Sequence, residues 1–322
     1  MAEFWTQFGY TALTGFIALC YAMFLYATIA RTIAKVQGRI GMPYWQAYID
    51  LFKNMGKRTA ISHGIMFDLG PVFRVAGALG VFIFIPVVYN NEIFSNFSFQ
   101  GDLLLVMYFV FFGSLGMALG AGEGGHPYSP IGVSRGLAQM SAYEVPFALS
   151  IVSILIQYQT LSITNIIAAQ QDGFMTWTVM TNPLATITAM LALLGMNMYP
   201  PFNIVGAPNE IPIGPATEYQ SAYLGLMSIG RLVFAAAKLV LFMNLFFGGA
   251  TGFSIFGFSN LFTDSVTGLL VMIVKTWAIY MVSIVVGVAF PRFRTEQAIR
   301  FFFKWPTLIG IVSILVAQYL FP

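Results

Sequence analysis

Four charged side chains lie within otherwise apolar stretches of the 322-residue sequence: Glu144, Arg231, Lys238 and Lys275. A charge inside hydrocarbon is costly and is usually functional. Arg231 and Lys238 are seven residues apart, which places them on one face of a helix. A carboxylate near such cations can exchange a proton when a cation moves, because ionisation at low dielectric depends on the nearest opposite charge. The pattern fits structural ion pairs or a chain of proton-transfer groups, and four such groups in three apolar stretches favour the second interpretation.

A second group of ionisable residues lies near the ends of the apolar stretches. It comprises Asp68, Arg74, Glu123, His126, Arg135, Glu210 and Glu218. The segment 200–216 is rich in Pro and Gly yet apolar, so we expect it to pack against protein. It leads to Glu218, which is either a helix-start carboxylate stabilised by the helix dipole or a point of proton entry.

Composition excludes several classes of protein. The chain is 58% hydrophobic and only 8% charged, whereas a soluble domain carries about 25% charged residues. The formal net charge of +3 is too small to suggest nucleic-acid binding. One cysteine, Cys20, and two histidines, His63 and His126, are too few for an iron–sulfur cluster, a zinc site or a haem. We therefore expect no redox cofactor, no metal and no complete active site in this chain.

Transmembrane helices must position these charges, and a helix needs about 20 apolar residues to cross a bilayer. Eight stretches qualify, near residues 9–31, 68–90, 102–121, 131–158, 183–203, 217–249, 266–290 and 302–320. The sequence therefore predicts an all-α integral membrane protein of about eight transmembrane helices, with residues 1–322 forming a single polytopic domain.

The basic residues are confined to alternate loops. They are Arg31, Lys35, Arg39, Lys53, Lys57 and Arg58 around the first loop, Arg135 at the start of the fourth span, and Arg292, Arg294, Arg300 and Lys304 around the last loop. The other loops, near 91–101, 159–182 and 250–265, contain no Lys or Arg. The positive-inside rule predicts a cell-membrane protein with cytoplasmic basic loops and both termini outside.

The first loop also contains an amphipathic segment, residues 43–57. One helical face would carry Tyr44, Ala47, Tyr48, Leu51, Phe52 and Met55. The segment is too short to span, so we expect a helix lying along the cytoplasmic interface. It is either an interfacial anchor or a docking site for a partner, and the residues do not separate the two.

Four stretches resemble the complex I subunit-1 (H-subunit) family. They are QGRIGMPYWQAYIDLFK (37–53), SPIGVSRGLAQMSAYEVPF (129–147), PPFNIVGAPNEIPIGPATEYQSAY (200–223) and PRFRTEQAIRFFFKW (291–305). The second stretch carries Arg135, Gln139, Tyr143 and Glu144 in the pattern of that family's fourth helix. The four occur in the family's order over nearly the whole chain, and eight helices agree with the family fold.

Departures from the family pattern indicate a branch of it. The first-loop motif is short, Asn203 stands where quinone-reducing members usually have Asp, and Glu210 is the only acid of its loop. These features look most like the membrane subunit of energy-converting membrane-bound [NiFe]-hydrogenases and related complexes. The resemblance implies a membrane-arm coupling subunit that seats a redox arm and links electron transfer to H⁺ or Na⁺ movement.

The resemblance also suggests roles for individual residues. The proton path or coupling group would comprise Glu144, Glu218, Glu210, Arg135, Arg231, Lys238, Lys275 and Asp68. The residues that dock the redox arm would be Arg39, Tyr44, Trp45, Asp50, Lys53, Arg292 and Arg294.

The implied partners are hydrogenase-like large and small subunits, antiporter-like membrane subunits and the lipid bilayer. The partner subunits would hold a [NiFe] centre and iron–sulfur clusters. Two alternatives stay open: a quinone-site subunit of a respiratory NADH- or ferredoxin-type dehydrogenase, and a sulfur-reducing relative of the hydrogenase complex. The acid-poor loop favours the hydrogenase type over the quinone type. A secondary transporter working alone fits less well, because the sequence has no obvious internal repeat.

Overall fold

The computed structural model of the protein describes residues 2–59, 63–94, 96–206, 210–211, 214–252 and 261–320. Within these ranges the chain is mostly helical. The α-helices are α1 (Ala2–Val36), α2 (Gln46–Met55), α3 (Ile65–Phe84), α4 (Asp102–Gly122), α5 (Tyr128–Tyr158), α6 (Ile163–Ala168), α7 (Thr178–Thr181), α8 (Pro183–Met196), α9 (Ser221–Phe246), α10 (Leu261–Ala289) and α11 (Thr295–Leu320).

Seven helices among the described residues are long and apolar enough to cross a membrane: α1, α3, α4, α5, α9, α10 and α11. The all-helical membrane class is confirmed, and so are seven of the eight predicted spans. The ends differ by several residues in places. The span predicted at 68–90 ends at Phe84, because Pro86 drives the preceding Ile85 into an extended conformation.

The fifth predicted span, 183–203, is shorter than expected. Helix α8 has 14 residues, about 21 Å of helix at ~1.5 Å per residue. Asn182 caps its start by accepting a hydrogen bond from the Ala185 amide at 3.2 Å, and the helix ends four residues before Pro200–Pro201. Proline cannot donate a helical hydrogen bond and disfavours helix in the residue before it.

The segment 182–202 nevertheless runs along most of α11. At one end, the Asn182 side chain donates a hydrogen bond from Nδ2 to Ser153 Oγ at 2.9 Å, and its Oδ1 accepts one from Ser313 Oγ at 3.3 Å. At the other end, Phe202 packs on Phe293, just before α11 begins, with ring centroids 5.5 Å apart. The chain therefore passes from one end of the helix bundle to the other through a short helix followed by irregular backbone.

Contacts between loops define the two ends of the bundle. At the end we call the basic end, the Tyr219 hydroxyl donates to Phe67 O at 3.0 Å, and the Phe293 amide donates to Pro201 O at 2.9 Å. At the other end, which we call the far end, the Tyr89 amide donates to Ala250 O at 2.7 Å. The loops that carry Lys and Arg therefore meet at one end of the bundle.

Helices α3 and α4 pack closely through glycines. Gly77 faces the backbone of Gly113, and Gly70 faces that of Gly120, so that a Cβ atom at either position would meet backbone atoms. Small residues allow helices to approach closely in membranes, where packing and hydrogen bonds drive association. This contact fixes Asp68 and Arg74 on α3 relative to α4.

The amphipathic segment predicted at 43–57 forms helix α2, and this part of the chain lies against α1. The Tyr48 hydroxyl donates to Cys20 O at 2.7 Å, and Tyr44 stacks on Phe24 with centroids 6.1 Å apart. Phe52 was predicted on the same face as Tyr48, but it is 73% exposed. It belongs to an outer apolar stripe with Trp45 and Ile49, because positions 45, 49 and 52 follow helical spacing.

Candidate functional site

Lys238 on α9 is the most buried of the predicted coupling cations. Only 6% of it is exposed. Its ammonium group donates to Met196 O at 2.9 Å and lies 4.3 Å from the centre of the Phe234 ring. Met196 is the last residue of α8, and the final carbonyls of a helix lack intrahelical partners and carry partial negative charge. The early end of α8 therefore creates the acceptor that holds this cation.

Glu144 lies half-buried on α5 and interacts electrostatically with Lys238. The sequence left its partner open among Arg231, Lys238 and Lys275; Lys238 is the one that acts on it electrostatically, although the two form no ion pair within 4.0 Å. Arg231 instead interacts with Tyr199 and Tyr280.

Lys275 lies apart from the other three charges with which the sequence grouped it. Its ammonium group donates to Phe247 O at 2.9 Å and to Gly249 O at 2.7 Å, and it sits 4.2 Å from the Trp177 ring centre. Among the described residues it forms no ion pair. It closes the C-terminal end of α9, on the far-end side of the bundle.

Several acids meet at the basic end. Glu218 pairs with His63 Nε2 at 3.1 Å, and the Glu123 carboxylate accepts from the Phe67 amide at 2.7 Å, at the start of α3. Tyr219 stacks on Phe67 with centroids 4.3 Å apart. Burial, with the neighbouring Asp68 and Glu123, raises the pKa of Tyr219 well above its usual range. Glu218 thus has a side-chain partner and is not a free helix-start carboxylate.

The basic-end acids connect to Glu144 through a sequence of electrostatic contacts. Tyr219 interacts with Asp68, with Glu123 and with Arg74. Arg74 acts electrostatically on Lys238, and Lys238 acts in the same way on Glu144. We call Glu218, Glu123, Asp68, Arg74, Lys238 and Glu144 the charged row. It leads from the surface of the basic end to the half-buried carboxylate of α5.

Arg135 and Glu210 stand beside the charged row and pair with each other at 2.5 Å. This ion pair ties segment 200–216 to the start of α5. Phe202, Ile204 and Val205 in that segment are buried. The described residues of the segment pack against protein, as its composition predicted, and Val205 and Pro215 lie against Gly136 and Gly132 of α5.

A cavity of about 630 Å³ lies beside the charged row. We call it the central cavity. It is bounded by α4, α5, α9 and the segment that follows α8, and its lining includes Arg74, Arg231 and Lys238. A second cavity of about 390 Å³, the side vestibule, lies between α1 and residues 39–42. Tyr26 and Tyr199 line both cavities.

A family model described as NADH dehydrogenase matches residues 9–318. The chain belongs to the NADH dehydrogenase subunit-1 family. The H subunit of the NADH-quinone oxidoreductase of Bacillus cytotoxicus is 25% identical to it, over 96% of this chain and 92% of the relative. The corresponding subunit from Campylobacter jejuni subsp. doylei is also 25% identical, over 97% of this chain and 98% of the relative.

A solved structure is also similar over its full length. A chain of the membrane-bound sulfane sulfur reductase, an archaeal respiratory membrane complex, matches with a TM-score of 0.88 and 32% identity. The match covers 97% of this chain and 99% of that chain. This member of the subunit-1 family is therefore a membrane subunit of an oxidoreductase complex related to complex I.

The predicted docking residues of this subunit-1 homologue all lie exposed at the basic end. They are Arg39, Tyr44, Trp45, Asp50, Lys53, Arg292 and Arg294. Three of their side chains have contacts within the chain. Arg39 donates to Gln37, Arg31 lies 4.5 Å from the Tyr44 ring centre, and Asp50 accepts from Gln46 at 2.9 Å. All seven remain open to a partner at this surface.

The sequence analysis did not predict some residues of the site. The sequence analysis grouped Arg74 with the charges near the ends of the apolar stretches, but Arg74 interacts electrostatically with Arg231 and Lys238. Its position inside the apolar stretch 68–90 could have indicated that it belongs with them. Tyr199 and Tyr280, whose rings are 5.6 Å apart, gave no such signal.

One further carboxylate was overlooked, away from the charged row. Asp102 is fully buried at the start of α4 and accepts from the Ile163 amide at 2.8 Å. Its contacts anchor α6, so its role is structural.

Proposed function

We propose that this protein is the membrane-arm coupling subunit of a complex I-related, ion-translocating oxidoreductase of the energy-converting hydrogenase type. It anchors the redox arm at its basic end and links electron transfer to H⁺ or Na⁺ movement through the charged row. The redox centres, a [NiFe] centre and iron–sulfur clusters, would be held by partner subunits of the redox arm.

The charged row is the observation that carries this proposal. A charge displaced at Glu218 or Glu123 changes the energy of the next ionisable group, because Coulomb interactions are strong where water is excluded. Glu218 pairs with His63, Glu123 accepts a hydrogen bond from the Phe67 amide, and Lys238 donates one to Met196 O. The row ends at Glu144, whose half-buried position allows exchange with a neighbouring membrane subunit.

The docking role rests on charge and exposure. The basic end gathers the Lys and Arg of the loops, and an acidic surface of a redox arm would be steered toward it. The partners we propose are hydrogenase-like large and small subunits at this end and antiporter-like subunits alongside the helices. The basic end would face the cytoplasm of the cell membrane, with both termini outside.

Two further candidates have an observation in their favour. The 32% identity to a sulfane sulfur reductase chain favours a sulfur-reducing relative of the hydrogenase complex. The central cavity favours a quinone-site subunit, since ligand sites are concave and largely apolar. Purifying the intact complex and identifying its metals, its partner subunits and its electron acceptor separates the three.

The coupling role is tested by Glu144→Gln in the intact complex reconstituted in liposomes. We expect electron transfer to continue, at a reduced rate, and the number of ions moved per electron to fall. Glu92→Gln, which changes an exposed carboxylate at the far end, should leave that number unchanged. Assembly is checked first on a native gel, because Glu144→Gln removes a charge that acts on the buried Lys238. An assembled Glu144→Gln complex with the normal ion-to-electron ratio would show that Glu144 is structural.

A further inference from the structure

The charged residues that line the central cavity all carry the same sign. Arg74, Arg231 and Lys238 line it, and its described lining contains no carboxylate. The three are close enough to act on one another, since Arg74 interacts with both Arg231 and Lys238. Glu144, the carboxylate beside Lys238, lies outside the lining. One carboxylate therefore faces three cations.

Arg74 is half-buried and Arg231 is exposed, and neither guanidinium group has an ion-pair partner in the described part of the chain. Asn197 also lines the cavity, and both polar atoms of its side chain are buried without a hydrogen-bond partner among the described residues. Native proteins pair nearly all buried polar groups such as the Asn197 amide, and like charges that lie close together repel one another. The arrangement calls for an anion that accepts several hydrogen bonds.

The rest of the cavity lining is mainly apolar. It includes Met117, Val133, Met140 and Met227. A small hydrated anion would leave this surface in contact with water. A ligand with an acidic head and a hydrocarbon chain would cover both parts.

The side vestibule offers such a ligand an entrance. It shares Tyr26 and Tyr199 with the central cavity and is lined by Ala30, Ile33 and Met42, with Arg39 at its edge. An apolar passage with a cation at its edge suits an amphiphile that arrives from a membrane surface.

We propose that the central cavity binds an amphiphile with an acidic head group, a phosphate or carboxylate, on an acyl-type chain. Arg74, Arg231 and Lys238 hold the head, Asn197 donates a hydrogen bond to it, and the chain lies on the apolar lining toward the vestibule. This site does not depend on the proposed coupling role. It differs from a quinone site because a neutral head would bring no negative charge to the three cations that line the cavity.

The test uses the intact complex in dodecyl maltoside and radiolabelled dodecyl phosphate as the probe. Saturable binding of about one probe per complex is expected. Dodecanol and inorganic phosphate should each compete at least tenfold less well than unlabelled dodecyl phosphate, because one lacks the charge and the other the chain. If dodecanol competed as well as dodecyl phosphate, the site would not require an acidic head group. If inorganic phosphate competed equally well, the site would not require a hydrocarbon chain.

Variants locate the probe. Ser228 is exposed, lines the cavity and precedes Arg231 by three residues on α9, so Ser228→Asp places a carboxylate beside that guanidinium. It should weaken dodecyl phosphate binding at least tenfold, while the neutral Ser228→Asn leaves it unchanged. Arg231→Gln should also weaken binding at least tenfold, and Lys304→Gln, an exposed cation on α11, should not. Unchanged binding in both Ser228→Asp and Arg231→Gln would place the ligand elsewhere and refute the site.

Discussion

At the scale of single residues, Lys238 receives its two partners from other helices. Met196 O at the end of α8 accepts its hydrogen bond, and Glu144 on α5 is its acidic neighbour. Removing one member of a buried charge pair leaves the other uncompensated, whereas removing both leaves no such charge. The interaction between Glu144 and Lys238 is therefore measurable as non-additivity.

A double-mutant cycle tests this pair. We expect Glu144→Gln and Lys238→Gln each to lower the thermal stability of the complex, and the double variant to lose less than their sum. The interaction free energy should lie in the range of about 0.5–3 kcal/mol. Glu144→Gln combined with Lys304→Gln is the matched control and should be additive. Additivity in both cycles would mean that Glu144 and Lys238 do not interact.

Lys275 should differ from Lys238 in its effect on function. Lys275→Met removes two hydrogen bonds to the end of α9, and hydrogen bonds from charged groups contribute roughly 1.5–3 kcal/mol each. The complex should melt at a lower temperature yet move the same number of ions per electron. Measuring the melting temperature and the ion-to-electron ratio on one preparation tells whether Lys275 is structural. A normal melting temperature with a reduced ion-to-electron ratio would show that Lys275 takes part in coupling.

At the scale of elements, hydrophobic length predicted the seven long helices because each is a local property of about 20 residues. It failed at α8, where residues 197–203 are apolar enough to continue a span but contain Pro200 and Pro201. The charges Glu144, Arg231 and Lys238 were found because a charge in an apolar stretch is visible in the sequence. The central cavity was not, since Tyr26, Tyr199 and Tyr280 meet only through the packing of distant segments.

The contact between α3 and α4 gives a prediction at this scale. A Cβ at Gly77 would lie about 2.5 Å from Gly113 Cα, which is backbone and cannot rotate away. Gly77→Ala should destabilise the protein by roughly 1–3 kcal/mol through overpacking, although alanine favours helix. Gly122→Ala on α4 is the control, because nothing lies within 4 Å of its added Cβ. Thermal unfolding of the two variants should separate them; equal melting temperatures would contradict the close contact.

At the scale of the whole molecule, the chain has two unlike ends. The basic end carries the loop cations. The loops predicted at the far end contain no Lys or Arg, and several contacts there join uncharged polar groups, such as Gln170 with Leu245 O at 3.2 Å. Both chain ends approach the far end, because Gln7 donates to Asn96 O and Ser313 contacts Asn182. An asymmetry of this kind sets orientation in a membrane.

Labelling of single cysteines tests both the orientation of the protein in the membrane and whether segment 182–202 crosses the bilayer. In a Cys20→Ser background, single cysteines are introduced by Lys57→Cys and Arg292→Cys at the basic end and by Asp172→Cys at the far end, all at exposed positions. A membrane-impermeant maleimide added to intact cells should label the Asp172→Cys protein. It should label the other two only after the membrane is permeabilised, because the positive-inside rule keeps basic loops in the cytoplasm. Residues 57 and 292 share an end only if segment 182–202 crosses the bilayer. Labelling of those two positions from opposite sides would contradict the crossing, and labelling of both from outside would reverse the orientation.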